Sequence, residues 1–154
     1  MTHQKKNRGI EEIHSLIDEL IDILKYPVHQ PRFSFSTCGR YCEIQSIHTS
    51  ENKTIIQMKY YAQPKYVHGG WVRIQPETII RHSDTDETLP MIQAVNIPVS
   101  PQKHHFKHPL ESLSFQLIFP AIPKHWKKID LIEKEPGDAS YFNFYGIDLN
   151  PLSV

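Results

Sequence analysis

The sequence predicts an all-β fold, an antiparallel β-sandwich of seven or eight strands that follows one N-terminal amphipathic α-helix. Three observations lead to this prediction. The chain has 154 residues, about the size of one domain. Apolar residues recur at helical spacing at residues 10–24, and beyond Pro31 they alternate with polar residues in short runs between turn signals. We therefore expect a helix with its linker at residues 1–30 and a sandwich domain at residues 31–154.

The first element is the amphipathic helix. Its apolar stripe consists of Ile10, Ile13, Ile17, Leu20 and Leu24. The helix must end before Pro27 and Pro31, because proline cannot continue the hydrogen-bond ladder. The stripe must be buried either against the sheet of its own domain or against another chain. The five residues are therefore candidate partner-binding residues, and pairing of two such helices would give a homo-oligomer.

The strands follow with a period of two. Leu113, Phe115, Leu117 and Phe119 alternate with Ser112, Ser114, Gln116 and Ile118 up to Pro120. Residues 42–47 and 54–61 are predicted to form a hairpin with a longer loop. Ile56, Met58 and Tyr60 are expected to face the core. Further strands are predicted at residues 71–75, 78–82, 89–97, 127–133 and 141–149. The proline-rich and histidine-rich residues 98–109 are predicted to form an extended surface connection.

Charge and hydropathy narrow the choice of partners. Seventeen Lys and Arg balance 17 Asp and Glu, so no global field gathers nucleic acid or an anionic bilayer. No apolar run reaches the ~18 residues of a membrane span. We therefore expect an unidentified protein partner, no nucleic acid and no membrane span. The basic N-terminus lacks the apolar stretch of a signal peptide, which predicts a cytoplasmic protein if Met1 is the native start and a periplasmic one if an export signal precedes it.

Four segments in fixed order carry a family resemblance. They are GGWVRI at residues 69–74, LPMIQAVNI at 89–97, SFQLIFPAIPKHWKKIDLIE at 114–133 and YFNFYGIDL at 141–149. Together they resemble the immunoglobulin-like N-terminal domain found ahead of thioredoxin-fold thiol-disulfide interchange proteins, and in other envelope proteins, of some Gram-negative anaerobes. The resemblance implies a bacterial, immunoglobulin-like accessory module. It implies no catalytic residues.

An aromatic cluster is the first candidate site. Tyr60, Tyr61, Tyr66 and Trp71 fall within a dozen residues, and exposed flat rings are what sugar or peptide ligands stack upon. Neighbouring residues of a strand point to opposite faces, so Tyr60 and Tyr61 cannot both be buried in the same core. Tyr61, Tyr66 and Trp71 are therefore the candidate ligand-stacking residues, and the alternative is that these rings fill the core.

A histidine cluster is the second candidate site. His104, His105 and His108 are the densest group of imidazoles in the chain, and neutral imidazole binds zinc, nickel or copper. No carboxylate or cysteine lies among them, and the prolines around them do not favour a helix. A solvated basic loop is the alternative to a metal site. We expect no cofactor.

Two cysteines, Cys38 and Cys42, lie one residue further apart than the redox C-x-x-C spacing. The spacing leaves open a redox role, a disulfide clip and a pair of reduced, partly buried thiols. A redox role is not expected, because a redox motif would require a βαβ setting that the sequence lacks. We expect reduced, partly buried thiols, or a small disulfide clip if the compartment is oxidising.

Two acidic groups complete the candidates. Asp84, Asp86 and Glu87 are spaced like the first ligands of a calcium loop, but the glycine and distal glutamate of an EF-hand are missing, so we expect a polar hairpin turn. Asp130 and Glu133 form an acidic pair for which hydrogen bonding or surface exposure is expected, rather than acid–base chemistry.

These observations predict a non-catalytic accessory or protein-binding module that docks through its surface or an open strand edge. The alternative function is binding of a small ligand or a metal, through the aromatic cluster or the histidines at 104–108. An enzyme is not expected, because no nucleophile and base stand at a useful spacing.

Overall fold

The computed structural model describes residues 32–149, together with the backbone of residues 28–29. The predicted helix at residues 10–24 lies outside the described residues. Its candidate partner-binding residues, Ile10, Ile13, Ile17, Leu20 and Leu24, lie outside them with it.

The described part of the chain is all-β. Its strands are β1 Val28–His29, β2 Phe35–Ser36, β3 Cys42–Thr49, β4 Lys53–Tyr61, β5 Trp71–Val72, β6 Ile79–His82, β7 Thr88–Pro90, β8 Gln93–Val95, β9 His104–His105, β10 Ser112–Pro120, β11 Lys128–Ile132 and β12 Asn143–Asp148. A single turn of 3₁₀ helix, Gly39–Tyr41, precedes β3. Within these residues no helix is long and apolar enough to cross a bilayer.

The strands form two five-stranded sheets and one two-stranded sheet, and every pair is antiparallel. The first sheet has the order β1-β3-β4-β10-β8, and the second has the order β2-β12-β11-β6-β7. Strands β5 and β9 form the small sheet. The prediction of antiparallel sheets is confirmed. The number of strands is larger than predicted because the run at 89–97 forms two strands, and because β1, β2 and β9 lie outside the predicted runs.

The predicted hairpin and the predicted strand at 113–119 are confirmed. Strands β3 and β4 pair antiparallel, and β10 pairs along the whole length of β4. Ile56, Met58 and Tyr60 face the core with 0%, 0% and 7% of their surface exposed. Strict alternation fixes this register, because a slip by one residue would expose the apolar face.

The predicted single strand at 89–97 is wrong. Thr88–Pro90 is the edge strand β7 of the second sheet, whereas Gln93–Val95 is the edge strand β8 of the first. The change occurs between two consecutive residues, since the N–H of Met91 donates to Thr78 O and the N–H of Ile92 donates to Ile118 O. An apolar run does not reveal such a change of sheet, because each half of it still pairs with a strand.

The surface connection predicted at 98–109 is also wrong in part. His104–His105 is strand β9, which pairs with β5, and Phe106 is buried in the core. Pro98 contributes its carbonyl oxygen, which accepts a hydrogen bond from the N–H of Ile74. Proline lacks only the donor, so it does not prevent such pairing.

Both large sheets contribute to one hydrophobic core. Phe115, Leu117 and Phe119 of β10 are buried in the same cluster as Leu131 of β11 and Phe144 of β12. Each of these side chains is 0% or 1% exposed. Burial of a large apolar side chain stabilises a fold by about 1.5–3 kcal/mol, so this shared core holds the two sheets together.

Candidate functional site

A cleft of about 710 Å³ lies at one end of the two large sheets. It forms where β3 and β12 begin and where β4 and β11 end, so its walls are loops positioned by paired strands. One wall, formed by the chain before β3, contains Cys38 and Tyr41, and another, formed by the chain that leads into β5, contains Tyr66 and Trp71. The volume falls in the ordinary range of small-molecule sites.

Four aromatic side chains line this cleft near solvent: Tyr41, Tyr66, Trp71 and Tyr141. Tyr66 is 46% exposed and Trp71 is 44% exposed. Large aromatic rings usually bury most of their surface, so rings that remain open in a concave site are available to stack on a ligand.

Each of the four rings carries a cation. The Lys103 Nζ lies 4.3 Å from the centroid of the Trp71 ring, and the Arg73 Cζ lies 4.9 Å from it. The Lys65 Nζ lies 5.1 Å from the centroid of the Tyr66 ring. Arg40 lies 5.6 Å from the centroid of the Tyr41 ring, and Lys134 lies 5.4 Å from that of Tyr141. Charges within ~6 Å of a ring face are attracted to it, which holds these cations around the cleft.

Two glycines shape the wall that carries Tyr66 and Trp71. Gly69 and Gly70 have φ of +86° and +72°, the left-handed region that favours glycine. A Cβ on Gly70 would lie 3.0 Å from the Tyr66 ring, and a Cβ on Gly69 would collide with Phe106 and the carbonyl of His108. The glycine pair therefore permits the close approach that places Tyr66 beside Trp71.

Glu133 is the one acidic residue among residues 32–149 that lines the cleft, and it is 3% exposed. Its Oε1 accepts a hydrogen bond from the N–H of Phe142 at 2.8 Å, and its Oε2 accepts one from the N–H of Gln75 at 3.0 Å. Burial raises the pKa of Glu133 to about 7, although these two hydrogen bonds oppose the shift. The carboxyl group thus ties together the two chain segments that flank it.

Behind the open rings, buried rings connect the cleft to the core. The Tyr60 ring lies between Phe106 and Phe142, with centroids 5.8 and 5.7 Å away. The Phe142 ring in turn stacks on that of Phe115 in β10, with the ring centroids 6.2 Å apart. These contacts make the inner wall rigid, because buried aromatic pairs add to the energy of packing.

No protein-family model matches the chain. The chain is similar to a protein of Macaca fascicularis named Protection of telomeres protein 1, with 28% identity over 102 residues. The match covers 62% of this chain but 15% of that relative, so the chain spans a small part of the relative's length. No solved structure matches the chain.

The structure brings together two of the three predicted ligand-stacking residues. Tyr66 and Trp71 both line the cleft, but Tyr61 does not. The Tyr61 hydroxyl donates to Glu43 Oε1 at 2.8 Å on the other face of β4, and Lys59 lies over its ring. Tyr60, which the sequence assigned to the core, is buried and also lines the cleft.

The three predicted metal-ligating histidines do not converge. His104 and His105 are neighbours in β9 and so point to opposite faces, and the His104 ring contacts the edge of Phe106. His108 Nε2 lies 3.4 Å from Glu111 Oε1. Within residues 32–149, no group of three or more His, Cys, Asp or Glu side chains is arranged to hold a metal ion.

The two cysteines are free and buried. Cys38 lies beside the cleft, and its Sγ is 3.9 Å from the carbonyl oxygen of Cys42. The neighbouring Cys42 thiol lowers the pKa of Cys38, whereas burial raises the pKa of Cys42. The expectation of reduced, buried thiols agrees with this arrangement.

The remaining acidic candidates serve the fold. Asp84, Asp86 and Glu87 lie in the connection between β6 and β7, where the predicted hairpin is confirmed. Asp130 accepts hydrogen bonds from Arg81, Ser83 and Gly146. Asp130 and Glu133 are thus both hydrogen-bonded, as expected, and both are buried.

Sequence reasoning missed several residues of the cleft. Tyr41 and Tyr141 are 100 positions apart and meet only because β3 and β12 begin at the same end of the fold. Tyr41 directly follows Arg40, whereas Lys134, the cation over Tyr141, lies seven positions before it, so the second pair leaves no local signal. The signal that distinguishes this site is their convergence, which requires the fold.

Proposed function

We propose that this chain is a non-catalytic binding module of the immunoglobulin-like β-sandwich type, and that it binds its ligand in the aromatic cleft. The observation that carries the proposal is the convergence of four cation-bearing rings on one concave surface. Concave sites with open aromatic side chains and a few charged groups are typical of ligand-binding sites.

The sandwich assignment draws on two independent observations. The buried faces of both five-stranded sheets contribute to one core, which is what two sheets packed face to face require. The segments at 69–74, 114–133 and 141–149 resemble an immunoglobulin-like accessory domain. They also contain β11 and β12, and Glu133, Tyr141 and Phe142 in the connection between these strands line the cleft.

The non-catalytic assignment follows from how the polar groups in the cleft are used. Both oxygens of Glu133 already hold backbone N–H groups, and a carboxylate committed in this way is a poor general base. Cys38 lies beside Cys42, with no histidine among the residues that line the cleft. These groups organise the cleft rather than carry out chemistry in it.

Nucleic acid belongs among the ligand classes of this module. The expectation of no nucleic acid came from the zero net charge, but the cations are not spread evenly, since Arg40, Lys65, Arg73, Lys103 and Lys134 all lie on cleft rings. The similarity to a protein named for the protection of telomeres, the ends of chromosomes, supports testing this class.

Protein docking at an open strand edge is a second candidate function, favoured by the edge strand β2. Phe35 is 56% exposed and stacks on Tyr145, and Phe33 is 41% exposed. Among the described strands, none pairs with the outer edge of β2. Two exposed aromatic side chains beside such an edge are the features that strand addition uses. Phe35→Asp should abolish such docking, whereas Ile92→Asp, an exposed apolar residue elsewhere, should not.

The cleft proposal is tested by the fluorescence of Trp71. The chain has two tryptophans, and Trp126 is buried away from the cleft. We expect at least one of three probes, a single-stranded oligonucleotide, an acidic peptide or a neutral oligosaccharide, to change the emission of the wild type saturably. In Trp71→Phe the change should vanish, because only Trp126 remains. A flat titration with all three probes would contradict the proposal.

A further inference from the structure

We infer that the cleft takes a nucleobase together with its phosphate, the base stacking on Trp71 or Tyr66 and the phosphate pairing with Lys65 or Arg73. This inference rests on the proposed function, because it names the ligand of the same cleft. It is argued from the pairing of rings with cations and not from the rings alone.

The rings supply the stacking surface. Trp71 and Tyr66 are each nearly half exposed, and both line the cleft. The Gly69 and Gly70 backbone holds them on one wall. Every nucleobase has a flat π-face, so stacking on an aromatic side chain accepts any base and gives a large part of the affinity of single-strand binding proteins.

The cations supply the complementary charge. Lys65 and Arg73 line the cleft, and Lys103 lies over the Trp71 ring from outside it. Arg73 is anchored by a long hydrogen bond, 3.5 Å, from its Nη1 to the carbonyl oxygen of Pro101. Glu133 is the opposing charge, and its burial and two backbone partners keep its carboxylate at the floor. The mouth of the cleft is therefore positive where the rings are open.

The pairing of rings with cations favours a nucleotide over a neutral sugar and over an acidic peptide. A neutral sugar would use the rings but gain nothing from the five cations that accompany them. An acidic peptide would use the cations but does not need the open rings of Tyr66 and Trp71. A base linked to a phosphate through one sugar presents both features within a few ångström, which matches rings whose cations lie 4.3–5.6 Å from their centroids.

The test uses the whole chain and a fluorescein-labelled 12-nucleotide oligothymidylate, with anisotropy as the signal. Trp71→Ala should weaken binding by roughly 5- to 150-fold, the range that loss of one stacked base gives. Lys65→Ala with Arg73→Ala should weaken binding and reduce the slope of log affinity against log salt by about 0.7 for each phosphate contact that is lost. Lys65→Glu should also weaken binding and lower the salt dependence, and because Lys65 is exposed, this substitution carries little risk to folding.

A matched control lies outside the cleft. Lys59 and Tyr61 form the same kind of pair, with the Lys59 Nζ 5.2 Å from the ring centroid, but neither residue lines the cleft. Lys59→Ala with Tyr61→Ala should therefore leave the affinity within about two-fold of the wild type. Equal losses in the control and in the cleft variants would overturn the inference, because binding would then be a property of the general surface.

Competition separates the sources of this chemistry. A free mononucleotide that displaces the oligomer at similar concentration identifies a single nucleotide as the ligand, and displacement only by longer strands identifies single-stranded nucleic acid. Both outcomes support the inference. The inference is overturned if inorganic phosphate displaces the oligomer as well as nucleotides do. It is also overturned if neither the mononucleotide nor the oligomer binds saturably. The cleft proposal would still stand if the peptide or the oligosaccharide changed Trp71 emission.

Discussion

The Oε1 of Glu133 accepts a hydrogen bond of 2.8 Å from the backbone N–H of Phe142, across the hairpin that joins β11 to β12. The same carboxyl group holds the N–H of Gln75 through its other oxygen. A single buried side chain thus positions two walls of the aromatic cleft. The stability of the cleft should therefore depend on the protonation state of Glu133.

Stability should fall as the pH rises through the window set by Glu133. Burial raises its pKa from 4.5 to about 7 in the folded state, so between these values the folded chain holds a proton that the unfolded chain has released. The free energy of unfolding should therefore decrease from about pH 4.5 to pH 7, by up to about 3 kcal/mol. Urea unfolding at several pH values measures it.

Glu133→Gln removes the titrating carboxyl group. The difference in unfolding free energy between the variant and the wild type therefore reports on Glu133 alone, without the contribution of the histidines, which both proteins share. The variant should show a flatter dependence of stability on pH, and Glu51→Gln, at an exposed position between β3 and β4, should keep the wild-type dependence. Identical pH slopes in the wild type and in Glu133→Gln would show that the buried carboxyl does not control stability.

Gly70→Ala should impair binding more than folding. The new Cβ would lie 3.0 Å from the Tyr66 ring at a φ of +72°, so the ring must move. We expect a loss of about 1–2 kcal/mol in stability from the left-handed backbone and a clear loss of ligand affinity. Denaturant unfolding and the Trp71 titration measure the two effects. Gly146→Ala, where φ is +66° and the new Cβ would meet the Ser34 hydroxyl, lies outside the cleft and is the control that should affect stability alone.

Arg81→Ala should destabilise the second sheet. Arg81 contacts Asp130 Oδ2 through its Nε at 3.1 Å and its Nη2 at 3.0 Å, and the Asp130 side chain is largely buried. Removal of the guanidinium leaves a buried carboxylate with fewer partners, which should cost about 2–3 kcal/mol in denaturant unfolding. Arg40→Ala, at an exposed position, should cost less than about 0.5 kcal/mol. Equal effects of the two substitutions would contradict the assigned role of Arg81.

Cys38 should react with iodoacetamide before Cys42. The Cys42 thiol lowers the pKa of Cys38, whereas burial raises that of Cys42, so the thiolate forms first at the residue beside the cleft. Peptide mass spectrometry over time should show Cys38 modified at least about ten-fold faster. A ligand in the cleft should slow this reaction. Equal rates in the folded protein would contradict the assignment, and equal rates in denaturant are the control.

The sheets could be predicted from the sequence where a single physical rule sets the structure. Strict alternation over residues 113–119 fixed both the strand and its buried face, because its period of two allows one register. The change of sheet between Met91 and Ile92 could not be predicted. It depends on two hydrogen bonds to strands that are distant in the chain, and local pattern contains no information about them.

The candidate site could be predicted only in part. Tyr66 and Trp71 were identified because they lie close together in the chain, and Tyr61 was assigned to them by the same closeness. The fold separates Tyr61 to the other face of β4 and brings Tyr41 and Tyr141 to the cleft. Closeness in the sequence therefore identified Tyr66 and Trp71, which come from one segment. It missed Tyr41 and Tyr141, which come from two distant segments.

The most direct test of the central claim, that the aromatic cleft is the binding site, is the pair of indole N–H signals in a ¹H–¹⁵N NMR spectrum. Trp71 lies in the cleft. Trp126 is buried outside it, and its ring stacks on His82 with the ring centroids 4.6 Å apart. The two signals therefore report on separate regions. With the probe that binds most tightly, the account predicts that the Trp71 signal shifts progressively to saturation while the Trp126 signal stays in place. A Trp71 signal that does not move while the protein is saturated with that probe would contradict the account.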